Sequence, residues 1–119
     1  MRAGRSRSIR HTAYGIPFPE SAGERFDRLE EQLAVITGLW ETPFGARFTH
    51  EGRHYTLVDS PALPKPVQTP VPMVIGGTGR RRTPELAGRY ASDFNLPFVS
   101  AQESASLFEN VRVVAGGRA

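Results

Sequence analysis

Three glycines in four residues, Gly76-Gly77-Thr78-Gly79, stand between a short apolar run, Pro72-Met73-Val74-Ile75, and a Thr83-Pro84 helix start. No other stretch restricts the fold of this chain as much. The apolar run suits a buried strand. Thr83 suits the cap of the following helix, and Pro84 its first position. Leu86, Ala87 and Tyr90 give that helix an apolar side, and Asp93-Phe94-Asn95-Leu96-Pro97-Phe98 reads as a second strand. Residues 101–115 form a further amphipathic helix, carrying Leu107, Phe108, Val111 and Val114. The order strand, helix, strand, helix over residues 72–115 is the signature of a parallel sheet with crossover helices. It predicts an α/β fold in which residues 74–76 and 94–96 lie parallel and adjacent.

The same glycines carry the chemistry. Without Cβ atoms their backbone N–H groups can approach a ligand closely and take up positive φ. The next helix points its free N–H groups and the positive end of its dipole at the same place, which makes a ready anion site. Arg80, Arg81 and Arg82 stand beside that helix start. Cations there oppose the dipole, at about 0.3–1 kcal/mol each when exposed, and a bound phosphate would reverse the sign. The pattern is not a P-loop, since no Gly-Lys-Ser/Thr follows. It is not a Gly-x-Gly-x-x-Gly dinucleotide turn either, because Arg82 stands where the third glycine belongs. From pattern alone, a phosphate turn and a plain glycine turn with solvated arginines both stay open.

Upstream, Ser21-Ala22-Gly23-Glu24 has the form of a capping box, in which the serine accepts from the third helical N–H and the glutamate reaches back. Phe26, Leu29, Leu33, Ile36 and Trp40 follow at spacings of three and four, opposite Arg25, Asp27, Arg28, Glu31 and Gln32. This predicts a helix over residues 21–40 with Trp40 in the core, ended by Pro43. Arg47–Thr49 and His54–Leu57 predict a hairpin around a His50-Glu51-Gly52-Arg53 turn. Five prolines within residues 61–72 predict an extended surface connection that cannot be a central strand. Residues 1–20 show no periodicity, and Tyr14–Pro19 reads as an irregular Gly/Pro loop.

Charge narrows the function classes. The net charge of +3 resembles a nucleic-acid signal, but four of the 15 Lys and Arg residues (Arg2, Arg5, Arg7, Arg10) lie in the first ten residues, which hold no acid. The other 11 face all 12 acidic residues, a net of −1, so the basicity belongs to the tail and not to a face of the fold. Residues 1–10 are expected to be disordered and dispensable. The absence of cysteine excludes disulfides and thiolate metal sites. No apolar run approaches the ~20 residues of a membrane span, and the arginines lead into no apolar signal core. The expectation is a cytoplasmic protein with no membrane and no specific nucleic-acid partner.

Other candidate residues carry less. His50 and His54 lie four apart across a turn, with no third metal ligand evident, so no metal is expected. Tyr14 could line a pocket, and a packed role is the ordinary alternative. Asn95, at the second strand, could contact a ligand or serve a turn. No Ser–His–Asp or paired-carboxylate arrangement can be argued, so no catalytic residue is assigned.

The order of motifs resembles a known family. Tyr14-Gly15-Ile16-Pro17-Phe18-Pro19, Glu24–Glu31, Gly38-Leu39-Trp40, Phe48, Glu51-Gly52-Arg53-His54-Tyr55 and Pro64–Gln68 appear in sequence. Val74–Gly79, Leu86-Ala87 and Tyr90–Asn95 complete the series. Over roughly residues 11–115 the chain resembles the luciferase-like (LLM class) monooxygenases and coenzyme F420-dependent oxidoreductases, with the F420-dependent branch nearest. Each motif is only fairly specific, while their order and spacing together are strong. The resemblance implies a TIM-type (β/α)₈ barrel, which takes about 250 residues, so the expectation is a partial barrel supplying its late-middle βα units. It also implies that Gly76, Gly77, Thr78 and Gly79 help to hold the cofactor phosphate, in agreement with the anion argument, and that Asn95 lines the cofactor or substrate pocket.

The cofactor implied is coenzyme F420, with FMN as the alternative. The partner is a small-molecule substrate, in a family-type homo-oligomer at full length. The family usually has a glycine–tryptophan–acidic stretch before its Tyr-Gly loop, whereas Arg2–Arg10 stand here; a shifted reading frame or a misplaced start would account for both. The early strands that cup the ring system and the last strands are expected to be missing. The resulting expectation is a fragment of an oxidoreductase for hydride transfer or monooxygenation, in which cofactor chemistry dominates. The alternatives are a remnant inactive on its own and a small anion- or nucleic-acid-binding module using the arginines, which lacks interleaved aromatics.

Overall fold

A computed structural model describes residues 9–96 and 99–116. Residues 1–8, most of the basic tail, lie outside them, as do residues 97 and 98 of the second predicted strand. Residues 9–13 are helical, where the sequence pattern predicts no regular structure.

The long helix α1 spans Ala22–Glu41. Ser21 caps it: its hydroxyl oxygen accepts from the Glu24 N–H at 3.1 Å. The return arm of the predicted capping box is replaced, because the Glu24 carboxylate turns to Arg28 at 3.2 Å instead, one helical turn on. Leu33 and Val35 are buried, and Phe26 and Leu29 pack against the core. Trp40 does not join them. It is 37% exposed and lies outside the core cluster.

No basic residue occupies the last turn of α1. A cation arrives from the proline-rich connection instead: Lys65 Nζ donates to the carbonyls of Leu39 at 2.7 Å and Thr42 at 2.6 Å. Those carbonyls carry the negative end of the helix dipole. The connection forms no strand, but it bends at residue 64 and again over residues 67–70 instead of running extended, and Lys65 ties it to the end of α1.

Strands β1 (Phe48–Glu51) and β2 (Thr56–Ser60) pair antiparallel, with His50 opposite Leu57 and Glu51 opposite Thr56. The hairpin is as predicted, but its turn lies later. His50 and Glu51 belong to the first strand, and the register shifts between Phe48 and His50.

Strands β3 (Val74–Gly76) and β4 (Asp93–Asn95) pair parallel in the register Val74–Asp93, Ile75–Phe94, Gly76–Asn95. Helix α2 (Arg82–Tyr90) connects them, and helix α3 (Ala101–Gly116) follows. This is the predicted βαβα order. Ser92 fastens the start of the pair: its N–H donates to the Met73 carbonyl at 2.8 Å, and its hydroxyl oxygen accepts from Met73 N–H at 2.9 Å. The core is a sheet-on-helix layer of Ile75, Phe94, Leu86, Ala87, Leu107 and Leu33. An edge-to-face contact between Phe94 and Phe108, centroids 5.5 Å apart, sets α3 on β4. Gly88 lets α3 close on α2, since a Cβ there would fall on the Val114 side chain. The architecture is mixed α/β. Its parallel sheet has two strands, and no closed barrel is formed among the described residues. None of their helices is long and apolar enough to cross a membrane.

Candidate phosphate-binding site

The turn after β3 lies at the carboxyl end of a parallel strand, where ligands collect in open α/β sheets. Gly76 sits opposite Asn95 in the register, so two sequence-predicted site segments come together. The Gly77 N–H donates to the Asn95 carbonyl at 3.2 Å. That N–H is taken by the sheet, so the donors left for a ligand come from later in the turn and from the helix start.

Gly77 has φ +145°, a conformation that L side chains rarely adopt. A Cβ on Gly77 would lie 3.2 Å from Thr83 Cγ2, and one on Gly79 would lie 2.7 Å from Thr83 Oγ1. The glycines thus let the turn fold down on Thr83, which is buried inside α2 rather than capping it. Helix α2 begins at Arg82, and Arg81 at the cap position makes no side-chain hydrogen bond to it. Its first-turn N–H groups have no intrahelical acceptors, and Pro84 has no N–H at all. A glycine turn at a strand end, feeding a helix start without a side-chain cap, fits a phosphate group. Gly76, Gly77, Thr78 and Gly79 line a cavity of about 320 Å³ there. Its other walls are Phe26 and Leu29 of α1, with Ile75, Thr83 and Leu86. Phe26 and Leu29 were legible as an apolar face, but their apposition to a turn some fifty residues away was not.

The three arginines part company. Arg82 turns away from the turn toward α1, with Nη1 at 2.8 Å from Asp27 and Nη2 at 3.0 Å from Glu30. The hydrogen bond to Asp27, with that to Glu30, outweighs the cost of burial and raises its already high pKa. The dipole penalty predicted for this arginine is therefore offset by two acids of the chain itself. Arg81 is exposed. Arg80 borders a separate polar hollow with Ser100, Gln102 and Glu103.

The remaining candidates fall elsewhere. His50 and His54 gather around Glu31: His50 Nε2 lies 3.2 Å from its carboxylate, and the His54 N–H donates to it at 3.0 Å. Among the described residues no group of three potential metal-ligating side chains forms. Tyr14 is 84% exposed, so it does not take the packed role. Trp40 borders an apolar cavity of about 380 Å³ with Pro66, Pro70, Met73 and Tyr90. That cavity lies before the start of β3, at the end of the strand opposite the glycine turn.

Comparison with known proteins agrees with the motif order. Over 91 residues, 76% of this chain, the sequence is 37% identical to F420-dependent glucose-6-phosphate dehydrogenase of Microbacterium testaceum (strain StLB037). The chain matches about a quarter (25%) of the length of that relative. A broader match, to the luciferase-like monooxygenase family, covers residues 4–118 and so begins within the basic stretch, earlier than the motifs that start near residue 11. With nearly its whole length matched, the chain belongs to the luciferase-like monooxygenase family.

Proposed function

We propose that this chain holds the phosphate of coenzyme F420, with FMN as the alternative, in an oxidoreductase acting on a small organic substrate. The observation that carries the reading is the β3–α2–β4 unit. A parallel strand ends in Gly76–Gly79, and the turn opens onto a helix with no side-chain cap. The relative named for F420 dependence supports the choice of cofactor. On this reading the chain corresponds to late-middle βα units of a (β/α)₈ barrel. When bound, the deazaflavin or flavin supplies the redox chemistry, hydride transfer or monooxygenation. The residues of this chain bind and orient. The turn and the first-turn N–H groups of α2 take the phosphate, Phe26 and Leu29 wall off one side, and Asn95 stands at the neighbouring strand end.

The test is titration of the purified chain with F420, FMN and riboflavin, the last lacking the phosphate, followed by fluorescence and calorimetry. F420 and FMN should bind, inorganic phosphate should compete, and riboflavin should bind far more weakly. Binding is expected to be weak and without turnover, since two parallel strands cannot enclose the ring system against water. Riboflavin binding as tightly as FMN would defeat the phosphate assignment.

A further inference from the structure

We infer that Arg82 is a positioning residue that clamps α1 against the glycine turn and so sets the shape of the phosphate site. The inference rests on the phosphate reading above and assigns a role within that site.

The guanidinium of Arg82 is directed at α1 through both terminal nitrogens. Nη1 meets Asp27 at 2.8 Å and the Gly23 carbonyl at 3.3 Å, and Nη2 meets Glu30 at 3.0 Å. Its Cζ lies over the Phe26 ring, 5.4 Å from the centroid. Asp27 and Glu30 are three apart on one helical face, so one fork-shaped cation can reach both. Glu30 is shared with Arg89, at 2.8 Å, near the far end of α2. The two helices are therefore pinned at both ends of α2.

The clamp bears on the turn through Phe26. A Cβ built on Gly79 would lie 3.9 Å from Phe26 Cζ, which is contact distance. Arg82 thus sits at the first residue of the helix whose N–H groups face the site, and holds the ring that backs the turn. Both terminal nitrogens are drawn toward α1, so in this arrangement its effect on a ligand passes through the geometry of the turn.

Charge makes the two roles separable by sign. Asp27 and Glu30 are negative groups near an anion site. If they acted only through the field, removing either charge would strengthen phosphate binding. If they act through the clamp, removing either should weaken it.

The experiment compares the full chain with Asp27→Asn, Glu30→Gln, Arg82→Met and Arg82→Lys. Each is titrated with FMN, F420 and inorganic phosphate, with helix content followed by circular dichroism. Asp27→Asn and Arg82→Met should each raise the Kd for FMN, by about tenfold for the arginine variant, a modest loss of 1.4 kcal/mol. Arg82→Lys should recover part of it. The double variant Arg82→Met/Asp27→Asn should be no weaker than Arg82→Met alone, since both remove one clamp. In the free protein, hydrogen exchange at Gly77–Gly79 should quicken in Asp27→Asn, a readout that remains if Arg82→Met does not fold. Asp27→Asn binding FMN as tightly as the parent or tighter, with exchange at the turn unchanged, would overturn the positioning role alone. A parent chain that binds none of the three ligands would overturn the phosphate reading, and this inference with it.

Discussion

The Glu31 carboxylate of α1 accepts a hydrogen bond from the backbone N–H of Tyr55 at 2.6 Å. It also takes the N–H of His54 at 3.0 Å and faces His50 Nε2 at 3.2 Å. One acid thereby docks the hairpin turn on the long helix. Burial acts to raise the Glu31 pKa, but the two backbone N–H groups together with His50 outweigh it and hold the pKa below the ordinary 4.5.

A carboxylate whose folded pKa is depressed contributes stability that is fully present above its unfolded pKa and is lost as pH falls through the folded one. Hairpin docking should therefore weaken from about pH 4.5 downward. Glu31→Gln should lower the melting temperature at neutral pH and reduce the acid-side fall. Melting curves across pH, with amide exchange at His54 and Tyr55, check both. An unaltered acid limb in Glu31→Gln would remove Glu31 as its source.

Gly77→Val should destabilise the chain before any question of ligand arises. At φ +145° a Cβ would meet Thr83 Cγ2 at 3.2 Å, and strain of this kind costs on the order of 1–3 kcal/mol. Denaturant unfolding measures the loss. FMN affinity in whatever remains folded should fall as well. Stability equal to the parent would mean that the turn relaxes without cost.

Lys65→Met keeps the aliphatic stem and removes the cation from the Leu39 and Thr42 carbonyls. The expected loss is about 1 kcal/mol, the scale of a cation at a helix C-terminus. Chemical denaturation measures it, and fraying should appear in amide exchange over residues 38–42. A loss confined to the proline-rich segment would contradict the capping role.

Ser21→Ala removes the oxygen that accepts from Glu24 N–H at 3.1 Å. It should cost about 1 kcal/mol, while Ser21→Asp should be close to neutral. Circular dichroism and unfolding midpoints separate the two. Equal losses would show that the cap contributes nothing specific.

Much of this arrangement was legible along the chain because it is governed by neighbours in sequence. The period of three and four from Phe26 to Ile36 specified α1, and the Ser21 cap marked its start. The apolar run, glycine turn and Thr-Pro start placed β3 and α2, and the following Phe94 segment implied a parallel partner. Alternation and a turn placed the hairpin within a few residues. The glycine turn announced itself as a site because three residues without Cβ beside a helix start are a local property. Tertiary structure decided what each polar group does. Thr83 matches a cap locally, yet it lies buried under Gly77 and Gly79, because the helix begins at Arg82, two residues sooner than the Pro84 start that a Thr83 cap implies. The three consecutive arginines are alike in sequence, and only the approach of α1 pairs Arg82 with Asp27 and Glu30. Trp40 keeps the helical period of a core residue but stays outside the core cluster. Glu31 reads as one more charge on a solvated face until the hairpin brings two backbone N–H groups to it. Local pattern sets which backbone a segment can adopt, because φ, ψ and the apolar period act over a few residues. The partner of a charged side chain is set by which elements pack together, and that depends on contacts between residues far apart in the chain.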